Sequence, residues 1–124
     1  MLIGKLMRAK MVLMPYFKEK YSPKLSYKLM KLISQIETEE KFFNERVTEI
    51  IHTYADKDES GELIYLDGGI KIKEDMQNEC NRVFEELNAV EVDAPSIRFS
   101  LEELSEIKLS VEDMVILEDF IIEE

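Results

Sequence analysis

The chain has 124 residues, of which 45% are hydrophobic and 35% charged, so it can bury one hydrophobic core and is too short for two ordinary domains. Only four glycines and three prolines favour a helical fold over an all-β fold. A net charge of −11 argues against a conventional DNA-binding domain, and a single cysteine with a single histidine excludes a disulfide framework and a Cys/His zinc site. We therefore predict one mainly α domain over residues 1–124.

Residues 1–21 form a methionine-rich basic segment. Apolar residues recur every three or four positions from Leu2 to Phe17, which predicts an amphipathic helix over residues 4–20. Pro15 interrupts the pattern, so a helix that stops there and a short helix that restarts at Pro15 are the alternative. Basic residues break every apolar run, so we expect neither a targeting sequence nor, anywhere in the chain, the about 20 apolar residues that span a bilayer. We expect a cytoplasmic protein.

Residues 22–89 carry the strongest helical signal. Ser22 as the N-cap and Pro23 as the first helical residue begin a helix that a regular apolar stripe extends to about Ala55. The stripe consists of Leu25, Leu29, Leu32, Ile36, Phe43, Val47, Ile50 and Tyr54. A second stripe predicts a helix over residues 74–89 that folds back against the first. We predict an elongated helical hairpin in which the long second helix packs against the third.

A small β-hairpin is predicted within residues 56–73, at the connection between these helices. Two β-rich arms, residues 63–66 and 70–73, flank the turn sequence Asp67-Gly68-Gly69. Beyond the third helix, residues 90–99 predict an extended arm. Capping boxes that begin at Ser100 and Ser110 predict two short helices within residues 90–124, the last of which carries apolar residues as far as Ile121.

The start of the same connection matches part of an EF-hand calcium loop. The oxygen-bearing residues at ligand positions are Asp56, Asp58, Ser60, Glu62 and Asp67. The last position holds aspartate instead of the longer bidentate glutamate, and Gly68-Gly69 follows where the exiting helix should begin. We therefore interpret the segment as a polar turn and predict that residues 56–67 do not bind Ca²⁺ at physiological concentration.

No other pattern indicates catalysis. Glu49 and His52 have the Glu-x-x-His spacing of di-iron helix bundles, but those sites need a second histidine, so His52 is expected on the surface. Cys80 lies on the apolar stripe of the third helix and is expected in the core. The glycines form neither a phosphate-binding loop nor a nucleophile elbow. We predict no enzyme activity and no cofactor.

Charge divides the chain in two. Residues 1–36 hold eight Lys and Arg and one acid, a net charge of +7, whereas residues 37–124 hold eight Lys and Arg and 26 acids, a net charge of −18. The basic part can lie against acidic surface of its own chain, meet that of another copy head to tail, or bind another anionic partner.

The candidate partner surface comprises Met7, Met11, Met14 and Phe17 with Lys5, Arg8 and Lys10. Core packing and binding to a membrane surface are the alternatives for the methionines.

Helix lengths favour a homo-oligomer. The second helix would be about 50 Å long and the third about 24 Å, so the third cannot cover the apolar stripe of the second from end to end. A first helix kinked at Pro15 is expected to cover only part of the rest. We predict that the basic first helix of one copy meets acidic surface of another copy. Other expected partners are proteins, without direct binding to nucleic acid.

Several runs also carry a family resemblance over residues 22–124. They are Lys24-Leu-Ser-Tyr-Lys-Leu-Met-Lys-Leu-Ile33, Glu49-Ile-Ile-His-Thr-Tyr-Ala-Asp-Lys-Asp-Glu-Ser-Gly61, Asp67-Gly-Gly-Ile-Lys-Ile-Lys73, Leu109-Ser-Val-Glu-Asp113 and Leu117-Glu-Asp-Phe-Ile121. In this order they resemble a family of small proteins, mostly of unknown function, encoded by tailed phages and prophages of Gram-positive bacteria. The resemblance implies a phage or prophage origin, often in late modules near tail and lysis genes, and no catalytic residue.

Two functions follow as expectations. The first is a structural or assembly protein of the tail region that acts through protein–protein interaction. The second is an acidic anti-defence inhibitor that blocks a host immune factor or its nucleic-acid or nucleotide ligand. Because the negative charge is spread over several elements with interspersed lysine and arginine, the sequence favours assembly.

Overall fold

The computed structural model describes residues 1–122, and it confirms the mainly helical fold class. The helices are α1 (Ile3–Leu13), α2 (Pro23–Tyr54), α3 (Gln77–Asn88), α4 (Leu101–Leu104) and α5 (Val111–Ile116). The strands are β1 (Tyr65–Leu66), β2 (Gly69–Ile70), β3 (Phe99–Ser100) and β4 (Ile121–Ile122). Three 3₁₀ turns cover Met14–Tyr16, Glu74–Met76 and Glu118–Phe120.

The first helix is shorter than predicted. α1 ends at Leu13, and Pro15 lies in the 3₁₀ turn that follows. Proline has no N–H to donate and its ring clashes with the carbonyl four residues before it, so the helix cannot continue through this position. The predicted helix over residues 4–20 is therefore wrong beyond Leu13. The alternative, in which the helix stops at Pro15 and a short helix restarts there, is correct about the stop. The segment that follows is a 3₁₀ turn and not an α-helix.

The long second helix is confirmed. The Ser22 hydroxyl accepts a hydrogen bond from the Leu25 N–H at 3.4 Å, Pro23 is the first helical residue, and α2 runs for 32 residues to Tyr54. At 1.5 Å per residue its length is about 48 Å. Its buried face is the predicted stripe, so the periodicity of the sequence is sufficient to define both the length and the orientation of this helix.

Two shorter helices cover α2 in series. The first core cluster joins Leu6, Ala9 and Leu13 of α1 to Leu25, Leu29, Leu32 and Ile36 of α2 and to Phe99, Leu104, Ile107, Leu117 and Phe120 of the C-terminal segment (residues 99–122). The second joins Ile50 and Tyr54 of α2 to Cys80 and Leu87 of α3. The stripe is thus buried within one chain. The expectation that the first helix covers too little of the stripe is therefore wrong, and the length argument no longer favours an oligomer. The oligomer itself stays a prediction.

The helices α1 and α3 meet end to end. The Ile3 N–H donates to the Val90 carbonyl at 2.8 Å. A Cβ on buried Gly4 would lie 2.5 Å from the Oδ1 atom and 2.8 Å from the Cβ atom of Asn88, so only glycine fits at this contact. The missing side chain at position 4 lets the start of α1 approach the end of α3.

The hairpin is confirmed but is shorter than predicted. β1 and β2 are antiparallel, with Tyr65 opposite Ile70 and Leu66 opposite Gly69. The two-residue turn is therefore Asp67-Gly68, in which Gly68 has a φ of +90° that favours glycine. Assigning Gly69 to the turn was wrong, because it pairs within the strand. The rest of the predicted arms makes isolated bridges from Lys57 to Leu63 and from Ala55 to Ile72.

Both C-terminal capping boxes are confirmed. Ser100 and Glu103 cap α4 reciprocally, and Ser110 and Asp113 cap α5. The predicted continuation of the last helix to Ile121 is wrong. α5 ends at Ile116, and the chain then forms β4, which pairs in parallel with β3. Residues from the two strands are about 20 positions apart, so local periodicity could not reveal the pairing.

Three ion pairs join the basic N-terminal part to the acidic remainder. The Lys10 Nζ lies 2.7 Å from the Glu40 Oε1, the Lys28 Nζ lies 2.8 Å from the Glu103 Oε1, and Lys5 pairs with Asp119. The first of the three charge alternatives, pairing within the chain, is thus confirmed for these lysines.

The contact between Gly4 and Asn88 predicts the effect of a side chain at this junction. Gly4→Leu should lower the free energy of unfolding by about 1 to 2 kcal/mol. The reason is that the free-energy cost of overpacking against Asn88 exceeds the stabilisation from the higher helix propensity of leucine. Asn88→Ala in the same chain should recover part of the loss. Arg8→Leu on the exposed face of α1 is the control and should change the value by less than about 0.5 kcal/mol. Urea denaturation measures all four chains, and a fully stable Gly4→Leu variant would contradict the junction.

Ionisation of Glu103 predicts a pH dependence of stability. Hydrogen bonds from Lys28 and from the Ser100 N–H lower the pKa of its carboxyl from 4.5 to about 2. The folded pKa lies below the unfolded one, so the stabilisation is complete above pH 4.5 and disappears as the pH falls through about 2. The difference corresponds to roughly 3 kcal/mol, which solvent screening reduces to about 1 to 2 kcal/mol.

Glu103→Gln keeps the capping box but removes the charge. It should therefore lower the free energy of unfolding at pH 7 and flatten its pH dependence between pH 5 and pH 2, as measured by chemical denaturation across that range. The exposed neighbour in Glu102→Gln provides the matched control. An unchanged pH profile in Glu103→Gln would show that the Lys28 pair contributes nothing.

Candidate functional site

An open apolar groove of about 330 Å³ lies between the 17–21 segment and the first half of α2. Its apolar lining residues are Phe17, Tyr21, Leu29, Met30 and Ile33. Its polar lining residues are Ser26, Ser34 and Glu37. Ser26, Met30, Ile33 and Glu37 follow one another at spacings of four, three and four, so they share one flank of the helix beside the buried stripe. We refer to this site as the groove.

The groove is open because neighbouring elements occupy the other sides of α2. α1 covers the buried stripe. The opposite flank is held by Lys28, whose Nζ donates to the Arg98 carbonyl at 2.8 Å and to Glu103. Within residues 1–122, only the 17–21 segment and α2 line the groove, and Met30 remains 55% exposed. A large apolar side chain on this flank therefore faces solvent.

Phe17 and Tyr21 form the aromatic wall of the groove, and this wall is anchored to the C-terminal segment. The Ser22 N–H and hydroxyl donate to the two Glu106 carboxylate oxygens at 2.8 and 2.6 Å, and these bonds lower the pKa of Glu106. The Tyr16 hydroxyl donates to the Lys108 carbonyl at 3.0 Å. Burial, followed by the nearby charge of Glu19, raises the pKa of the Tyr21 phenol, which stays protonated at neutral pH. Both ends of the wall are thus fixed.

The predicted methionine surface is only partly assembled. Phe17 lines the groove, Met7 packs against the first core cluster, and Met11 and Met14 are 71% and 55% exposed. The core-packing alternative is thus confirmed for Met7, whereas Met11 and Met14 are exposed as a partner surface requires. Of the basic candidates, Lys5 and Lys10 are ion-paired within the chain, while Arg8 is exposed and makes no ion pair among the described residues.

Sequence reasoning missed the α2 side of the groove. Leu29 was assigned to the core stripe, where its side chain is indeed mostly buried, and Met30 and Ile33 were assigned no role. Their spacing was a usable signal, since apolar residues at positions 30 and 33 widen the stripe beyond what a single covering helix buries.

The calcium-loop residues are used in a turn. The Asp58 Oδ1 accepts hydrogen bonds from the Ser60 N–H at 2.9 Å, the Ser60 hydroxyl at 2.7 Å and the Glu62 N–H at 3.1 Å, and these bonds lower its pKa. The Asp56 Oδ2 lies 3.2 Å from the Lys71 Nζ. Asp67 lies in the hairpin turn. In the part of the chain that the structure describes, no group of three or more acidic, histidine or cysteine side chains is placed to hold a metal ion.

The remaining candidates have the positions expected of structural residues. Cys80 is 2% exposed in the second core cluster, and burial raises the pKa of its thiol, which disfavours the nucleophilic thiolate. His52 is exposed on α2, as predicted. Glu49 accepts a hydrogen bond from the Arg46 Nη1 at 2.9 Å. None of these groups lines the groove.

No family model, curated protein or solved structure matches the chain. The resemblance to phage proteins therefore stays a prediction. Among the described residues, no helix is both long enough and apolar enough to cross a membrane.

The geometry of the 56–62 turn predicts its response to calcium. Millimolar Ca²⁺ should produce no binding heat in calorimetry, because the Asp58 carboxylate already accepts hydrogen bonds from the turn that it closes. Asp58→Ala should speed amide hydrogen exchange at Ser60 and Glu62 whether or not Ca²⁺ is present. A dissociation constant below about 10⁻⁵ M, abolished by Asp56→Ala, would contradict this interpretation.

Proposed function

We propose that this protein is non-enzymatic and acts by binding another protein through the groove. The observation that carries the proposal is the exposed apolar flank of α2 opposite a fixed aromatic wall. Met30 stays 55% exposed directly beside the stripe, whose residues in the first half of α2 are all buried: Leu25, Leu29, Leu32 and Ile36. Contiguous exposed apolar surface of this kind is typical of interaction sites.

The chemistry of the lining suits a protein partner. A leucine or phenylalanine side chain that fills such a groove gains about 1.5 to 3 kcal/mol from burial. Met30 adapts its shape to different partners because its side chain is unbranched and polarizable, and Tyr21 combines an apolar ring with a polar hydroxyl. Among the described lining residues, the serines Ser26 and Ser34 have no histidine, lysine or cysteine beside them, and Glu37 is the one carboxylate. This composition supports binding better than catalysis.

We further propose a structural or assembly role in the cytoplasm, within the late tail module of a phage or prophage. The family resemblance supports this role. The charge distribution also supports it over the acidic anti-defence inhibitor, because acids such as Glu40, Glu103 and Asp119 are paired with lysines of the same chain. An inhibitor that imitates nucleic acid needs its negative charge unpaired and concentrated.

Selection from a displayed library of short random peptides tests the binding function. Peptides selected on the wild-type protein should carry a large apolar residue and should bind Met30→Asp at least about tenfold more weakly, since the change places a charge in the groove. Val115→Asp, at an exposed valine of α5, is the matched control and should bind them normally. Fluorescence anisotropy gives the affinities. A library that yields no sequence preferring wild type over Met30→Asp would contradict the proposal.

A further inference from the structure

The hairpin tip presents a second exposed apolar feature. Tyr65 is 70% exposed and Leu66 is 59% exposed, although both are large and adjacent. A two-stranded hairpin is marginally stable alone, but the base of this one is tied to the end of α2. The Asp56 N–H donates to the Lys71 carbonyl at 2.9 Å, and the Lys73 N–H donates to the Tyr54 carbonyl at 2.9 Å. The tip, residues 65–68, is therefore an anchored apolar projection.

The surroundings of the tip and of the groove carry opposite charge. Residues 56–73, which contain the turn and both arms of the hairpin, hold five acids and three lysines, a net charge of −2, and one of these acids, Asp56, pairs with Lys71. On the groove side, residues 17–24 contain three lysines and one acid, a net charge of +2, and all four of these charged residues are exposed. Lys18 and Lys20 lie in the segment between Phe17 and Tyr21, which form the aromatic wall. Glu37 is the one acid that lines the groove.

The tip cannot enter the groove of its own chain. Ile33 and Tyr54 are separated by 21 residues of continuous α-helix, which places them about 32 Å apart along the axis. The hairpin is fixed at the far end of this distance. A contact between tip and groove is therefore possible only between two copies.

We infer that the tip of one copy, with Tyr65 and Leu66, occupies the groove of the next, so that copies of the chain associate head to tail. This inference rests on the proposed function, because it names the partner of the same groove. The acidic surroundings of the tip then face Lys18 and Lys20 at the edge of the contact. Complementary charge of this kind sets the orientation of a contact more than its strength.

This contact differs from the oligomer that the sequence predicted. Two of the basic residues assigned to that interface, Lys5 and Lys10, already pair with acids of their own chain. Within residues 1–122, the basic surface that lies next to the apolar groove and makes no ion pair is instead in the 17–24 region. Because tip and groove are different surfaces, the interface is heterologous, and association continues from copy to copy unless the geometry closes a ring.

Sedimentation equilibrium with complementary variants tests the inference. Because only residues 65–68 enter the groove, the contact should bury little area, and the wild type should self-associate with a dissociation constant on the order of 100 μM. Met30→Asp removes the groove and Leu66→Asp removes the tip, and each variant alone should weaken self-association at least about tenfold. An equimolar mixture retains one intact groove and one intact tip. It should form dimers with the wild-type affinity and no larger species.

Val115→Asp adds the same charge away from both surfaces and should associate as the wild type does. A wild type that stays monomeric up to about 1 mM, well above the expected constant, would overturn the inference. So would a mixture of the two variants that stays monomeric, because a heterologous contact requires complementation. An association that is unchanged when NaCl rises from 0.1 to 1 M, where the Debye length falls from about 10 to about 3 Å, would equally contradict the charged rim.

A photo-crosslinking amino acid in place of Tyr65 gives a readout that does not depend on the folding of the aspartate variants. Cross-linked dimers should carry the attachment within residues 17–37 of the other copy, as located by mass spectrometry. Attachment elsewhere would overturn the inference. If the wild type is monomeric while selected peptides still bind the groove, the second copy is the wrong partner and the proposed function stands. If both fail, the proposed function fails as well.

Discussion

Covering the apolar stripe of α2 is the constraint on which the rest of the structure depends. The helix is about 48 Å long, whereas α1 has 11 residues and α3 has 12, so neither reaches much beyond about 18 Å. The chain solves this by placing the two helices one after the other on the same face. That arrangement requires a junction where the start of α1 and the end of α3 meet without a gap. The stripe is buried along its length only if this junction stays closed.

The junction is built from backbone. Leu2 and Glu91 form an antiparallel bridge, and the Ile3 N–H reaches the Val90 carbonyl. The bond from Ile3 satisfies an N–H of the first turn of α1 at a fully buried residue, which would otherwise have no partner. Gly4 then permits the close approach to Asn88. A contact made by backbone bonds and a missing side chain has no apolar pattern of its own, although it fixes where both helices lie.

The same arrangement explains why one flank of α2 is open. α1 is held at its start by the junction and at its end by the turn at Pro15, so it stays centred on the stripe. The C-terminal segment is drawn to the flank of Lys28 by the ion pair with Glu103 and by the burial of Phe120. No described element remains for the flank of Met30 and Ile33. The groove is thus a consequence of how few elements a chain of this length has to cover so long a helix.

Local signals predicted the parts of this molecule that local interactions determine. The Ser22 cap, the stop at Pro15 and the two capping boxes depend on residues within four positions of one another, and each was readable from sequence. The series packing, the parallel pairing of β3 with β4 and the groove depend on residues far apart in sequence. The candidate site was predicted at Phe17 alone among its lining residues, because the sequence shows the apolar face of each helix but not which flank a neighbour leaves uncovered.

The structure explains one irregularity in the α2 stripe, the missing apolar residue between Ile36 and Phe43. The apolar positions skip from Ile36 to Phe43, with Glu39 at the position where an apolar residue is missing. Ile36 belongs to the first core cluster and Phe43 packs against the second, so the gap coincides with the boundary between the two covering helices. At this boundary the half-buried Glu40 pairs with Lys10 of α1. A polar residue in the stripe is tolerated at the boundary between α1 and α3, because neither covering helix packs on that position. The Lys10–Glu40 pair at this boundary also fixes the register of α1 on α2, which apolar contacts alone do not fix.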